Sequence, residues 1–96
     1  MQLKWTSRAL QQFGEAIDYI AKENPIAAQT IAQRVADALE LLLSSPKIGH
    51  AGRISGTREW IVRKTPYIVA YRIEAQELWV LRLIPAKQDP AKLLHH

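Results

Sequence analysis

The chain reads as an α+β domain, an N-terminal α-helical hairpin packed on one face of a small antiparallel β-sheet. Three observations predict this. Apolar residues recur every three or four positions through the first half, the period of a helix face. They alternate along short β-rich runs in the second half, the period of a strand. Between the two lies a stretch that holds three of the four glycines.

Leu3-Lys4-Trp5 alternates like a short edge strand. Thr6 or Ser7 is the expected cap of the first helix, whose face is Leu10, Phe13, Ile17 and Ile20. Asn24-Pro25 both ends that helix and starts the next, since Asn caps well and Pro suits the first helical position. The second helix carries the stripe Ile31, Val35, Ala38, Leu39 and Leu42, with small Ala27, Ala28, Ala32 and Ala36 allowing close helix approach. It is expected to run to about Leu43, where Ser44-Ser45-Pro46 stops it. A short connection makes the helices an antiparallel hairpin. Residues 47–57 read as loop. Strands are expected over roughly 58–64, 67–74 and 77–84, as a meander turning at Lys64-Thr65-Pro66 and Ala75-Gln76.

Ninety-six residues suit a single domain, taken as 1–94, with His95-His96 set aside as a tag remnant. At 48% hydrophobic and 23% charged the composition is that of a folded protein. No cysteine is present, which excludes a disulfide framework and thiolate chemistry. No signal peptide or membrane-spanning run is visible, so a cytoplasmic location is expected. The net charge of +4 is uneven: residues 1–45 sum to −1 and residues 46–96 to +5. A basic C-terminal half suits an acidic partner. His50 has no companion for a metal site and reads as a loop residue; no metal and no cofactor are expected.

Strand parity sorts the sheet. Tyr67, Val69, Tyr71 and Ile73 should face the helices, as should Trp60 and Val62. Glu59, Ile61, Arg63, Ile68, Ala70, Arg72 and Glu74 should face outward. In the last strand, Arg82 is placed outward because an unpaired buried charge is costly. That choice carries Leu78, Val80 and Ile84 outward and sends Trp79, Leu81 and Leu83 inward. The plain alternative for the outer face is a solvated surface with cross-strand pairs such as Arg72 with Glu59 or Arg82 with Glu74.

Four segments carry a resemblance that spans most of the chain: Pro46-Lys47-Ile48-Gly49, Gly56-Thr57-Arg58-Glu59, Pro66 to Ile73 (PYIVAYRI) and Leu81-Arg82-Leu83-Ile84. Together they resemble the ParE/RelE superfamily of bacterial type II toxins, and the ParE branch in particular. The resemblance implies a helical hairpin on an antiparallel sheet, neutralisation by a cognate antitoxin, and one of two mechanisms. One branch cuts messenger RNA on the ribosome with cations on the open sheet face and a Tyr or His near the C-terminus. The other inhibits DNA gyrase by binding. Aligned at Pro66-Tyr67, the places that matter for cutting hold Glu59, Ile61, Ile68 and Gln88. A carboxylate repels phosphate and isoleucine donates no hydrogen bond. The His-Gly and Trp-Pro steps of the ParE branch are echoed by Gln88 and Pro90 alone.

The expectation is therefore a gyrase inhibitor with no catalytic residues, and a RelE-like mRNA endonuclease or a toxin that only binds its antitoxin as alternatives. Arg58, Arg63, Arg72, Arg82 and Lys87 are candidate charge contacts. Ile61 and Ile68 are candidate apolar contacts. The expected partners are the antitoxin and gyrase, without direct nucleic-acid binding and without a membrane. A homodimer or a toxin–antitoxin hetero-oligomer is compatible with such a chain.

Overall fold

The local chemistry at the start of the chain sets two elements at once. Thr6 caps the first helix by accepting from the Ala9 N–H at 3.1 Å, and its own N–H and hydroxyl donate to Val80 O and Leu81 O, both at 3.0 Å. Asn24 repeats the cap on the next helix through Ala27 N, with Pro25 following as its first residue. The computed structural model describes residues 1–86. Its elements are β1 (Gln2–Trp5), α1 (Ser7–Glu23), α2 (Pro25–Ser44), β2 (His50–Ala51), β3 (Arg58–Ile61), β4 (Tyr67–Glu74) and β5 (Glu77–Pro85).

The five strands form one sheet in the order β1-β5-β4-β3-β2. All neighbouring strands are antiparallel except β1, which lies parallel to β5. The helices cover one face. Ala9 of α1 and Val35, Ala38, Leu39 and Leu42 of α2 form the core with Val62, Val69, Tyr71, Leu78, Val80 and Leu83. Trp5 and Phe13 close one flank with ring centroids 5.7 Å apart. Leu10, expected on the buried face of α1, is instead 54% exposed. The core side of α1 is carried by Ala9, Phe13 and Ala16, a face displaced by one residue.

Alternation describes β3 and β4 throughout, but β5 departs from it once. Ala70 pairs with Arg82 whereas Tyr71 pairs with Val80, leaving Leu81 as an extra residue. A bulge of one residue reverses the parity of everything beyond it. Leu78 and Val80 therefore face the helices, fully buried, and Leu83 does so as well. The expectation that Leu78 and Val80 point outward and Trp79 inward is thus corrected, while Arg82 stands where it was placed. The bulge is held from α1: Leu81 O accepts the Thr6 hydroxyl, and the Leu83 N–H donates to Gln12 Oε1 at 2.9 Å.

The residues expected to be loop include β2, whose two residues pair with Arg58 and Glu59. The segment before it is pinned to the sheet. The Tyr71 hydroxyl donates to Pro46 O at 2.6 Å and accepts from Gly49 N at 3.0 Å. Glycine is required at 49 because a Cβ there would stand 2.5 Å from that hydroxyl. Burial raises the Tyr71 pKa above its ordinary 10.0, against opposing pulls from the Gly49 N–H and the Arg58 cation.

Candidate functional site

The sheet face away from the helices is built of rows that run across strands, because paired residues share a face. One row is His50, Glu59, Ala70 and Arg82; the next is Ile61, Ile68 and Ile84. Toward the other end, Arg72 lies beside Trp79 and Glu74 beside Glu77. The face is thus an isoleucine stripe followed by a charged row.

The charges on it are largely engaged. Glu59 is only 6% exposed, although it sits on the face that the helices leave open. Its Oε2 accepts from the Arg53 backbone N–H at 3.1 Å and lies 3.3 Å from Arg53 Nε; its Oε1 stands 4.0 Å from His50 Nε2. This carboxylate folds the 52–57 loop against the sheet, and Ile54 projects from that loop at 65% exposure. Arg72 pairs with Glu74, two residues along its own strand, at 2.8 Å. The cross-strand pairs suggested by parity, Arg72 with Glu59 and Arg82 with Glu74, are not the ones formed. The Arg82 Nε–H is shielded from solvent and has no acceptor among the described residues. Trp79 donates its indole N–H to Glu77 at 2.9 Å.

The predicted site residues separate. Ile61, Ile68, Arg72 and Arg82 do share the open face. Ile61 is exposed and Ile68 is buried between Ile61 and Ile84 in its row. Arg63 lies exposed in the turn after β3. Arg58 belongs to the helix-facing row with Tyr71. Its guanidinium donates to Lys47 O at 3.0 Å and Gly49 O at 2.8 Å, so it fastens the same segment that Tyr71 holds. Lys87, Gln88 and the terminal histidines lie outside the described residues.

Sequence reasoning took His50 for a loop residue, whereas it stands in β2 and faces Glu59 across β2 and β3. A strand of two residues leaves no periodicity to detect. It also passed over the edge of β3 nearest α2, where Arg34, Asp37, Ala38, Leu41, Trp60, Ile61, Arg63 and Lys64 line a groove of about 430 Å³. Chemically, the open face offers an apolar contact stripe, two arginines and a buried carboxylate beside an imidazole.

The profile of the family described as "ParE toxin of type II toxin-antitoxin system, parDE" matches residues 3–90. The chain is 36% identical over 93 residues to "Putative toxin Y4kP" of Sinorhizobium fredii, covering 97% of this chain and 96% of that protein. It is 30% identical over 82 residues to "Toxin RelE2" of Caulobacter vibrioides, covering 85% and 91%. Among solved structures, one titled "Chromosomal ParDE TA system from P. aeruginosa" superposes with a TM-score of 0.79 at 22% identity, over 88% of this chain and 95% of that one. A "YoeB/ParE toxin from Agrobacterium tumefaciens" does so at 0.62 and 15% identity, over 88% and 98%. Both share the helical hairpin on a sheet.

Proposed function

We propose, from the premise that this chain belongs to the ParE toxin family of type II toxin–antitoxin systems, that it acts by binding DNA gyrase and catalyses no reaction of its own. Membership itself implies a cognate antitoxin. The reading of the mechanism rests on one observation. The middle of the open face presents Ile61, Ile68 and Ile84 beside a buried glutamate.

Metal-free RNA scission needs cations around the scissile phosphate and a group to take the 2′-hydroxyl proton. A carboxylate and three isoleucines supply neither the field nor the donors. Of the nearby cations, Arg53 is paired with Glu59, Arg72 with Glu74 and Arg58 with the 47–49 backbone, which leaves Arg82 the one in the row without an ion-pair partner among the described residues, too few to surround a phosphate. An apolar stripe flanked by arginines is the composition of a protein-binding patch, where Arg and apolar anchors carry most of the energy. In this reading Ile61 and Ile68 form the apolar centre, and Arg63, Arg72 and Arg82 the charged contacts.

A second reading, a ribosome-dependent mRNA endonuclease of the RelE kind, draws on the His50–Glu59 pair. A buried carboxylate 4.0 Å from an exposed imidazole could orient it as a proton acceptor. Two assays with the purified chain separate the readings. Inhibited gyrase supercoiling together with unbroken message in primer extension on translated RNA supports the binding mode. Site-specific cuts that vanish in His50→Ala overturn it.

A further inference from the structure

We infer that the 52–57 loop, latched to the sheet by Glu59, presents Ile54 as an apolar anchor for a pocket on the toxin's target protein. An exposed isoleucine by itself carries no weight, since such residues are scattered over any protein surface. What singles out Ile54 is how completely its loop is fixed. The Gly52 N–H donates to Thr57 O at 2.8 Å, and Ile54 O accepts both the Thr57 N–H at 3.1 Å and the Thr57 hydroxyl at 2.6 Å. Glycine is required at 52, where a Cβ would collide with the Thr57 hydroxyl and stand 3.1 Å from the Thr57 main-chain carbonyl. Gly56 supplies the left-handed φ of 83° on the way back to β3.

Glu59 adds the latch from the sheet. Its Oε2 takes both the Arg53 backbone N–H and the Arg53 Nε, so the residue before Ile54 is held at two points. Burying a carboxylate carries a desolvation cost that an apolar side chain in the same place would avoid. The core does not call for it, because Glu59 faces away from the helices, beside Ala70 in its row. What the buried charge secures is the conformation of the loop, and the residue that this conformation holds out to solvent is an isoleucine.

The loop joins β2 to β3 at the level of Arg72, since Arg58, the residue that follows it, pairs with Tyr71. It thus stands at the Arg72 end of the sheet, with the Glu59 row between it and Ile61. The exposed cations at this end are Arg53, next to Ile54 in the chain, and Arg72. An apolar tip ordered before binding loses little loop and side-chain entropy on contact, which is how a small protruding residue becomes an anchor. The partner it fits is a folded protein surface with an apolar pocket and an acidic margin; a nucleic-acid backbone would leave the isoleucine unused. The inference rests on the gyrase reading above, to which it adds an apolar contact away from Ile61 and Ile68.

The test uses the full chain and purified DNA gyrase. Ile54→Ala should raise the toxin concentration that half-inhibits supercoiling about tenfold, with the urea midpoint unchanged because the side chain is exposed. Glu59→Leu fills the same space but accepts no hydrogen bond. It should speed exchange of the Arg53 amide and weaken inhibition to a similar degree, and adding it to Ile54→Ala should weaken inhibition little further, because Glu59 acts through Ile54. Gly52→Ala, which displaces the loop and leaves its exposed side chains in place, should behave as Glu59→Leu does. Full inhibition by Ile54→Ala, a loss of inhibition in Ile54→Ala that comes with a lowered urea midpoint, or full additivity of Ile54→Ala and Glu59→Leu overturns the loop assignment and leaves the gyrase reading standing. A wild-type chain that leaves supercoiling untouched overturns the gyrase reading itself, and the anchor with it.

Discussion

The two faces of this sheet are made from the same strands, yet they obey different rules. The helix-covered face is apolar and buried: Val62, Val69, Tyr71, Leu78, Val80 and Leu83 are each 3% exposed or less. The open face mixes Ile61 at 58% with Ile68 at 7% and a glutamate at 6%. On the first face burial alone decides which residues can be there. On the second, local partners decide, so a carboxylate can be buried because the Arg53 loop folds over it. Stability should therefore respond to substitutions on one face and function to substitutions on the other.

The sharpest attempt to break that division is Tyr71→Ala. The ring is fully buried, and its hydroxyl joins Pro46 and Gly49 to the sheet. Its loss should cost about 3–5 kcal/mol, as for other large buried aromatics. Urea denaturation of the purified chain measures it. A midpoint near wild type would mean that Tyr71 does not face the core.

A smaller effect is expected at the one place where the faces exchange residues. Gln12→Ala removes the acceptor for the Leu83 N–H, which lies on the β5 edge beyond the end of β1. An unsatisfied, partly buried donor costs about 1–3 kcal/mol. The lower end applies here because the bond is only partly shielded. The Leu83 amide should exchange faster in the variant by hydrogen exchange, while the Val69 amide at the centre of β4 should not. Equal acceleration at both would show global loosening rather than a local defect at the bulge.

How much was legible from sequence follows the same division. The helix boundaries were readable because Thr6, Asn24 and Pro25 are caps with one chemical meaning. The parity of β4 was readable because eight residues alternate without interruption. The parity of β5 was not, since an inserted residue leaves no mark in a run such as Leu78-Trp79-Val80-Leu81-Arg82-Leu83, where both alternating sets are largely apolar. Only the charge of Arg82 pointed correctly, and it informs just the part of the strand beyond the bulge. At the candidate site, Ile61, Ile68, Arg72 and Arg82 followed from parity. Arg58 did not, because its fixed points are the carbonyls of Lys47 and Gly49 in a segment whose path no periodicity describes. His50 and the β3 edge were hidden for the same reason: pairing across the sheet brings them together from distant parts of the chain.

The smallest stability change, and the most telling one, belongs to the open face. Arg72 with Glu74 is an exposed pair, the kind worth only about 0–1 kcal/mol. The Arg82 Nε–H has no acceptor among the described residues, so removing it also removes a desolvation cost. Arg72→Ala together with Arg82→Ala should therefore leave the urea midpoint within about 1 kcal/mol of wild type. If the working surface is this face, the same double variant should weaken inhibition of gyrase supercoiling at matched protein concentration. Full inhibition by the double variant would move the working surface elsewhere. A large loss of stability would show that the two faces are coupled in a way the rows of paired residues do not describe, since among the described residues neither arginine side chain is bonded to the buried cluster.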